Sequence, residues 1–212
     1  MIIVPEIETV IITPPRTGSG TLHRVISATY PTAIRLYRHM EADGVPAGYD
    51  RWQKVGLVRN PIDRLWSLFK FLQRFSGTQH DPAFVADVRG SVDRPFSDWV
   101  VHNQTVFTSP YDRAGTERFF PFYTVRHALP ENHKSQFHYL RPDLGTSIFQ
   151  FSELGKFAQL VGIDLDLHEN ASDQRDHCYI SPEAMEHMQR LFRWDFIYGG
   201  PSVSNYTLGT AA

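Results

Sequence analysis

Residues 7–22, IETVIITPPRTGSGTL, decide how this chain is read. Their first seven are rich in β-branched residues and stop at Pro14 and Pro15, which suits a buried strand better than a helix. Arg16, Thr17, Gly18, Ser19, Gly20 and Thr21 follow directly. Then Leu22, Val25, Ile26 and Thr29 recur at helical spacing until Pro31 ends the pattern. Strand, tight turn and helix in that order are the unit from which parallel α/β sheets are built. Glycines in such a turn let backbone N–H groups approach an anion, and the helix N-terminus adds positive potential. Arg16, Ser19 and Thr21 offer further donors, so the turn reads as a phosphate-type cradle. It is not a Walker A loop, because the Gly-Lys-[ST] ending is absent, and this disfavours a nucleoside-triphosphate kinase or ATPase.

Working outward, a second extended piece over 33–38 reaches His39, and Asp43-Gly44-Val45-Pro46 then forces a loop. A third strand is expected over 54–58. Asn60 and Pro61 open a helix as N-cap and first-turn residue, with Asp63 favourable to the helix dipole. Its apolar positions Ile62, Leu65, Trp66, Leu68, Phe69 and Leu72 form one broad buried stripe. Residues 77–130 read as loops and short helices whose dense aromatics belong mostly to the core, a minority being available to stack on an acceptor ring. A strand over 147–151, a helix over 153–161 and a helix from Ser181-Pro182-Glu183 to about Phe192 follow, with 199–212 read as an irregular tail. The expectation is one α/β domain over 1–212, a three-layer P-loop-like fold with a central parallel sheet flanked by helices. Ligands of such sheets sit at the carboxyl ends of the strands, where 16–21 and 59–61 both fall.

Composition narrows the function. The chain has 212 residues, 42% of them hydrophobic, so it can bury a core unaided. Lys plus Arg total 21 against 23 Asp plus Glu, a net charge of −2, too even for a protein that holds nucleic acid by bulk electrostatics. Any anion site must be local. Cys178 is the single cysteine, which rules out an intrachain disulfide and a Cys-x-x-Cys metal clip. Pro5 and Glu6 interrupt the first residues, which therefore do not read as a secretory signal, and no run approaches the ~18 apolar residues of a membrane span. A cytoplasmic protein is expected. The ten histidines show no His-Glu-x-x-His or His-x-Glu arrangement, so no metal site is expected.

A second constellation is VRNPIDRLWS over 58–67. Arg59 ends a strand while Ser67 lies two helical turns further on, and a guanidinium with a hydroxyl suits a phosphate monoester. Together the two pieces resemble the signature of sulfotransferases that use 3′-phosphoadenosine 5′-phosphosulfate (PAPS). Pro15 to Thr21 is similar to the family's P-[KR]-[ST]-[GA]-[ST]-x-[ST], and Arg59 to Ser67 to its R-[DN]-P-x-x-R-x-x-S. Gly20 stands where many members carry a hydroxyl residue, and Arg16 where Lys is common. The resemblance implies that Pro15, Arg16, Thr17, Gly18, Ser19, Gly20, Thr21 and Leu22 bind the 5′-phosphosulfate, and that Arg59 and Ser67 bind the 3′-phosphate. It continues more weakly through residues 133–140, HKSQFHYL, similar to the H-x-x-P-Q-x-x-Y-L region of Golgi-type carbohydrate sulfotransferases but with Ser135 for the usual Pro. Residues 148–154, the 167–172 stretch LHENAS, and the chain from Ser181 to Gly199 with Trp194-Asp195-Phe196 also resemble family segments. Arg175 would reach the cofactor from the loop after Ser172.

Sulfuryl transfer to a hydroxyl is an in-line displacement in which positioning and cationic stabilisation do most of the work, so no metal is required. Arg16 is the candidate for stabilising charge at the leaving phosphate. The acceptor's proton needs a general base, and histidine fits neutral pH best. His39 is the first candidate, expected at the end of the second strand on the same sheet edge as the cradle. Heparan sulfate 2-O-sulfotransferases, which this chain resembles most in motif, place a catalytic His at a similar interval before the second motif. Glu41 is the alternative base, since some relatives that sulfate amines use a glutamate. His23, inside the first helix, reads as a packing residue or a neighbour of the anion. Lys134 or His138 is placed on the acceptor side, and the arginines of 35–51 favour an acidic acceptor such as a uronate-bearing glycan. The product would be adenosine 3′,5′-bisphosphate and the acceptor a small molecule or glycan. The rival readings are a non-catalytic protein that holds a nucleotide or phosphorylated ligand, and a P-loop kinase-like phosphotransferase.

Overall fold

The computed structural model describes residues 1–36, 38–76, 81–102, 135–165, 178–202 and 206–209. Strands β1 (Ile2–Val4), β2 (Thr9–Ile12), β3 (Ile34–Arg35), β4 (Gln53–Val58) and β5 (Thr146–Gln150) form one sheet in the order β3-β1-β2-β4-β5. β2, β4 and β5 pair in parallel, with Ile11 opposite Val55 and Gly56 opposite Ile148. β1 is antiparallel to both β2 and β3, so β3 runs in the same direction as β2. The sheet is therefore mostly parallel, with one reversed strand inserted. The expectation of a wholly parallel sheet missed it because Pro5 ends the apolar run Met1 to Val4 after four residues, too few to show a period.

Side-chain alternation divides the strands between two cores. Ile2, Val4, Ile11, Val55 and Leu57 face α1 (Ser19–Thr29) and, after a short 3-10 turn, α6 (Leu154–Leu160), through Leu22, Ile26, Leu154 and Phe157. Met1, Ile3, Val10, Ile12 and Val58 face the other way, toward Met40, Ala42, Tyr139 and Leu140. Tyr139 and Leu140 belong to α5 (Gln136–Leu140), which comes so close to β4 that a Cβ on Gly56 would collide with Leu140. A third cluster joins α2 (Pro61–Gln73), α3 (Pro82–Gly90), α4 (Phe96–His102), β6 (Cys178–Ile180) and α7 (Pro182–Leu191) around the fully buried Trp99. Helix α8 (Arg193–Tyr198) follows directly. The molecule is thus α/β, with helices on the faces of its sheet.

Most local expectations hold within a residue or two. Asn60 caps α2, accepting from the Ile62 N–H at 2.9 Å, with Pro61 in the first turn. Two expectations are corrected. The extended piece over 33–38 contracts to Ile34–Arg35, because β1 offers only two residues to pair with it. Part of the irregular tail is a strand, β7 (Tyr206–Leu208), which pairs in parallel with β6, a long-range partner that no local pattern announces. Among the described residues no helix is long and apolar enough to cross a membrane.

Candidate functional site

Because β2, β3, β4 and β5 point the same way, the residues following each reach one edge of the sheet. Thr13 to Gly18 leave β2 there, His39 follows β3, Arg59 follows β4 and Phe151 follows β5. At the turn after β2, Arg16 adopts a left-handed conformation with φ 67°, and Gly18 another at φ 80° as N-cap of α1. No side chain caps this helix, so its first-turn amides carry the usual N-terminal surplus of donors. Thr17 donates its hydroxyl to Pro14 O at 2.8 Å and locks the turn. Ser19 and Thr21 are buried, Gly20 is exposed, and nothing lies within 4 Å of a Cβ added there. The hydroxyl residue common at that position in the resembled family would meet no obstacle. Leu22 is drawn into the core and its N–H bonds Gly18 O at 3.0 Å, so it supports the turn from below instead of lining it.

The two motifs meet through Arg16. Its Nε and Nη2 donate to Ser67 Oγ at 3.1 and 2.9 Å, and its guanidinium lies over the Phe71 ring at 4.9 Å. Burial first, and the neighbouring charge of Arg59 second, push the Arg16 pKa down to about 10. The side chain remains a cation at neutral pH. Arg16 makes no ion pair among the described residues. Arg59, whose guanidinium lies 5.4 Å from the Phe151 ring centre, keeps a buried Nε without a hydrogen-bond partner among them. Burial lowers its pKa too, opposed by the nearby Asp63. Desolvating two guanidiniums side by side is costly unless an anion joins them. The donor set, two guanidiniums with a serine hydroxyl beside a helix N-terminus, suits a phosphate or sulfate ester.

Residues to which the sequence reading gave no role hold this pair in place. Gln136 clamps the Arg59 backbone on both sides: Arg59 N donates to Gln136 Oε1 at 2.9 Å, and Gln136 Nε2 donates to Arg59 O at 2.7 Å. Asp195, fully buried, accepts from Ser135 Oγ at 2.6 Å, Gln136 N at 3.0 Å and Gln136 Nε2 at 3.2 Å. Ser135 also caps α5 by accepting from Phe137 N, which explains how a serine serves where the resembled family has proline. A Cβ on Gly199 would stand 2.8 Å from Arg59 O, so the end of α8 seats directly on the strand-end arginine. Arg64, fully buried, donates from Nε to Pro15 O at 3.4 Å and supports the turn from behind. Gln136, Asp195 and Arg64 all lie within the quoted motifs. Nothing in the sequence says that they bond to one another across the fold.

The third part of the edge is neutral. His39 is half-buried, and its Nδ1 lies 2.9 Å from Thr13 O. A carbonyl only accepts, so Nδ1 carries the proton and Nε2 the lone pair. Desolvation pushes the His39 pKa down to about 3, with the positive charges of Arg38 and Arg16 contributing and the Thr13 bond opposing. The ring is a neutral imidazole within reach of the Arg16 charge. His23, on α1, is buried and likewise pushed down to about 3 by desolvation, with its Nε2 3.4 Å from Thr13 Oγ1. Glu41 is also buried, but its charge acts on Arg141, in a group with Asp43 and Asp143. His138 is half-buried in α5, while Arg175, His133 and Lys134 lie outside the described residues. No family model, curated protein or solved structure matches the chain.

Proposed function

We propose that the protein is a sulfotransferase of P-loop-like fold that moves a sulfuryl group from PAPS to an acceptor hydroxyl on a carbohydrate. The observation that carries this reading is the pair of desolvated guanidiniums, Arg16 and Arg59, the first bonded to Ser67, at the start of a glycine-bounded helix. Arg59 and Ser67 would hold the 3′-phosphate, and the turn from Pro15 to Thr21 the 5′-phosphosulfate. Bound PAPS supplies an activated sulfur whose bond to the 5′-phosphate oxygen breaks as the acceptor oxygen attacks.

The chain's own residues supply the rest. Arg16 bridges the two phosphate positions and remains charged at neutral pH, so it can offset charge growing on the departing side. His39 accepts the acceptor's proton at Nε2, the nitrogen left unprotonated by the Thr13 bond. A ring held near pKa 3 is a weak base at rest. An anion seated beside Arg16 would offset only the smallest of the charges acting on the ring, since desolvation is the main cause of its low value.

Calorimetric titration with adenosine 3′,5′-bisphosphate, beside AMP, ADP and ATP, tests the reading. Selective binding of the bisphosphate, weakened in Arg59→Ala, is expected. Absence of binding, or equal binding of ATP, would overturn it.

A further inference from the structure

Thr13, the residue directly after β2, is where four other groups converge. Its carbonyl receives His39 Nδ1–H at 2.9 Å. Its hydroxyl bonds the main-chain carbonyl of Arg38, the residue before His39, and since that carbonyl can only accept, the hydroxyl proton points there. The lone pairs of Oγ1 then face His23 Nε2 and the amino group of Met1, each 3.4 Å away. With its only proton already committed, Oγ1 must accept from His23, so His23 carries its proton on Nε2. The hydrogen-bond geometry thus assigns opposite tautomers to the two histidines: Nδ1–H in His39, Nε2–H in His23. Thr13, His23 and Met1 are buried and His39 half-buried, and from His23 through the Thr13 hydroxyl to Arg38 O the donors run in one direction, from α1 to the loop after β3.

We propose that Thr13 is the positioning residue of this site. It grips the loop bearing His39 at two adjacent residues and fixes that ring as the Nδ1–H tautomer, so that Nε2 is the proton-accepting atom, while His23 holds the threonine hydroxyl in the orientation this requires. A valine at 13 keeps the shape and the backbone carbonyl but leaves Arg38 O to the Met1 amino group alone, which donates to it at 2.8 Å. A serine keeps the hydroxyl. The inference rests on the proposed function only for what Nε2 is used for, because the tautomers are properties of the protein alone.

The test is a long-range ¹H–¹⁵N correlation spectrum of the histidine rings at neutral pH, with His39→Gln and His23→Gln giving the assignments. The wild-type protein is expected to show His39 as a single Nδ1–H tautomer and His23 as Nε2–H. Thr13→Val is expected to turn His39 into a mixture of tautomers, with affinity for adenosine 3′,5′-bisphosphate unchanged, and Thr13→Ser to restore the single form. His23→Phe, which removes the donor at similar volume, should loosen His39 in the same direction, and His23→Gln less so. A His39 ring protonated on Nε2 in the wild type, or one unmoved by both Thr13→Val and His23→Phe, would overturn the inference. If the wild-type protein does not bind the bisphosphate, the proposed function fails while the tautomer result still decides the role of Thr13.

Discussion

The two ends of the site are built on opposite electrostatic principles. At one end Arg16 and Arg59 are desolvated cations with a surplus of donors, held by Gln136 and Asp195 from the far part of the chain. At the other, His23 and His39 are desolvated and neutral, held by Thr13 from the adjacent strand. Burial acts on both pairs with the same sign, against the charged form. Arginine starts so high that it remains charged, whereas histidine falls through neutrality. The same loss of water thus leaves a pair of fixed cations and, beside them, uncharged imidazoles.

This contrast can be broken from either end. The largest effect is expected from Asp195→Ala, which strands three donors in a fully buried position and undoes the clamp on Arg59. At about 1 kcal/mol or more for each unsatisfied donor, a loss of about 3 kcal/mol should appear in urea unfolding. A smaller loss than Ser135→Ala alone would show that Asp195 does not organise the cationic end. Arg59→Ala comes next, and should behave in the reverse manner. Its Nε has no described hydrogen-bond partner to lose, only the Phe151 ring and the charge of Asp63 nearby, so the unliganded protein should lose far less stability than in Asp195→Ala. Affinity for adenosine 3′,5′-bisphosphate should nevertheless fall by about ten- to a hundredfold, the worth of one charged hydrogen bond.

The neutral end should reveal itself in acid. An unfolded histidine binds a proton below about pH 6.5, whereas the folded His23 does so only near 3, so the unfolded state binds more protons in between. Stability contributed by the neutral ring is full above the unfolded value and is lost as pH falls toward 3, by about 1.4 kcal/mol per pH unit for each such imidazole. Thermal unfolding between pH 7 and 4 should therefore be less steeply pH-dependent in His23→Phe than in the wild type. Parallel profiles would mean that the ring is charged when folded. The smallest effect is expected from Gly20→Ser, since the site is exposed and open around the added Cβ. A change within about 0.5 kcal/mol, with the bisphosphate still bound, would sharpen the view that the turn tolerates either residue.

Legibility in the sequence followed the range of the interactions involved. The tight turn after β2 and the capped start of α2 can be read directly because glycine φ angles, helix caps and apolar spacing are properties of neighbouring residues. His39 was placed at the edge of the cradle by strand order alone, and it does lie against Thr13. The roles of Thr13, Gln136, Arg64 and Asp195 were not readable, although each was in view. Their bonds span 25, 77, 49 and 60 positions, and nothing local distinguishes a glutamine that clamps a distant backbone from one on the surface. Leu22 shows the converse, a residue inside a motif whose helical phase turns it into the core.

By itself, then, the sequence determined the alternation of strands and helices, the glycine-bounded turn after β2 and the placement of Arg59 and Ser67 on one strand-to-helix junction, all of which depend on local geometry and periodicity. Tertiary structure alone decided that β1 runs backwards between β3 and β2, that Arg16 reaches Ser67, and that Thr13 fixes the proton of His39. Those outcomes depend on which groups are brought together and stripped of water, and the free energy of a desolvated charge or hydrogen bond is set by its surroundings in space, not by its neighbours in the chain.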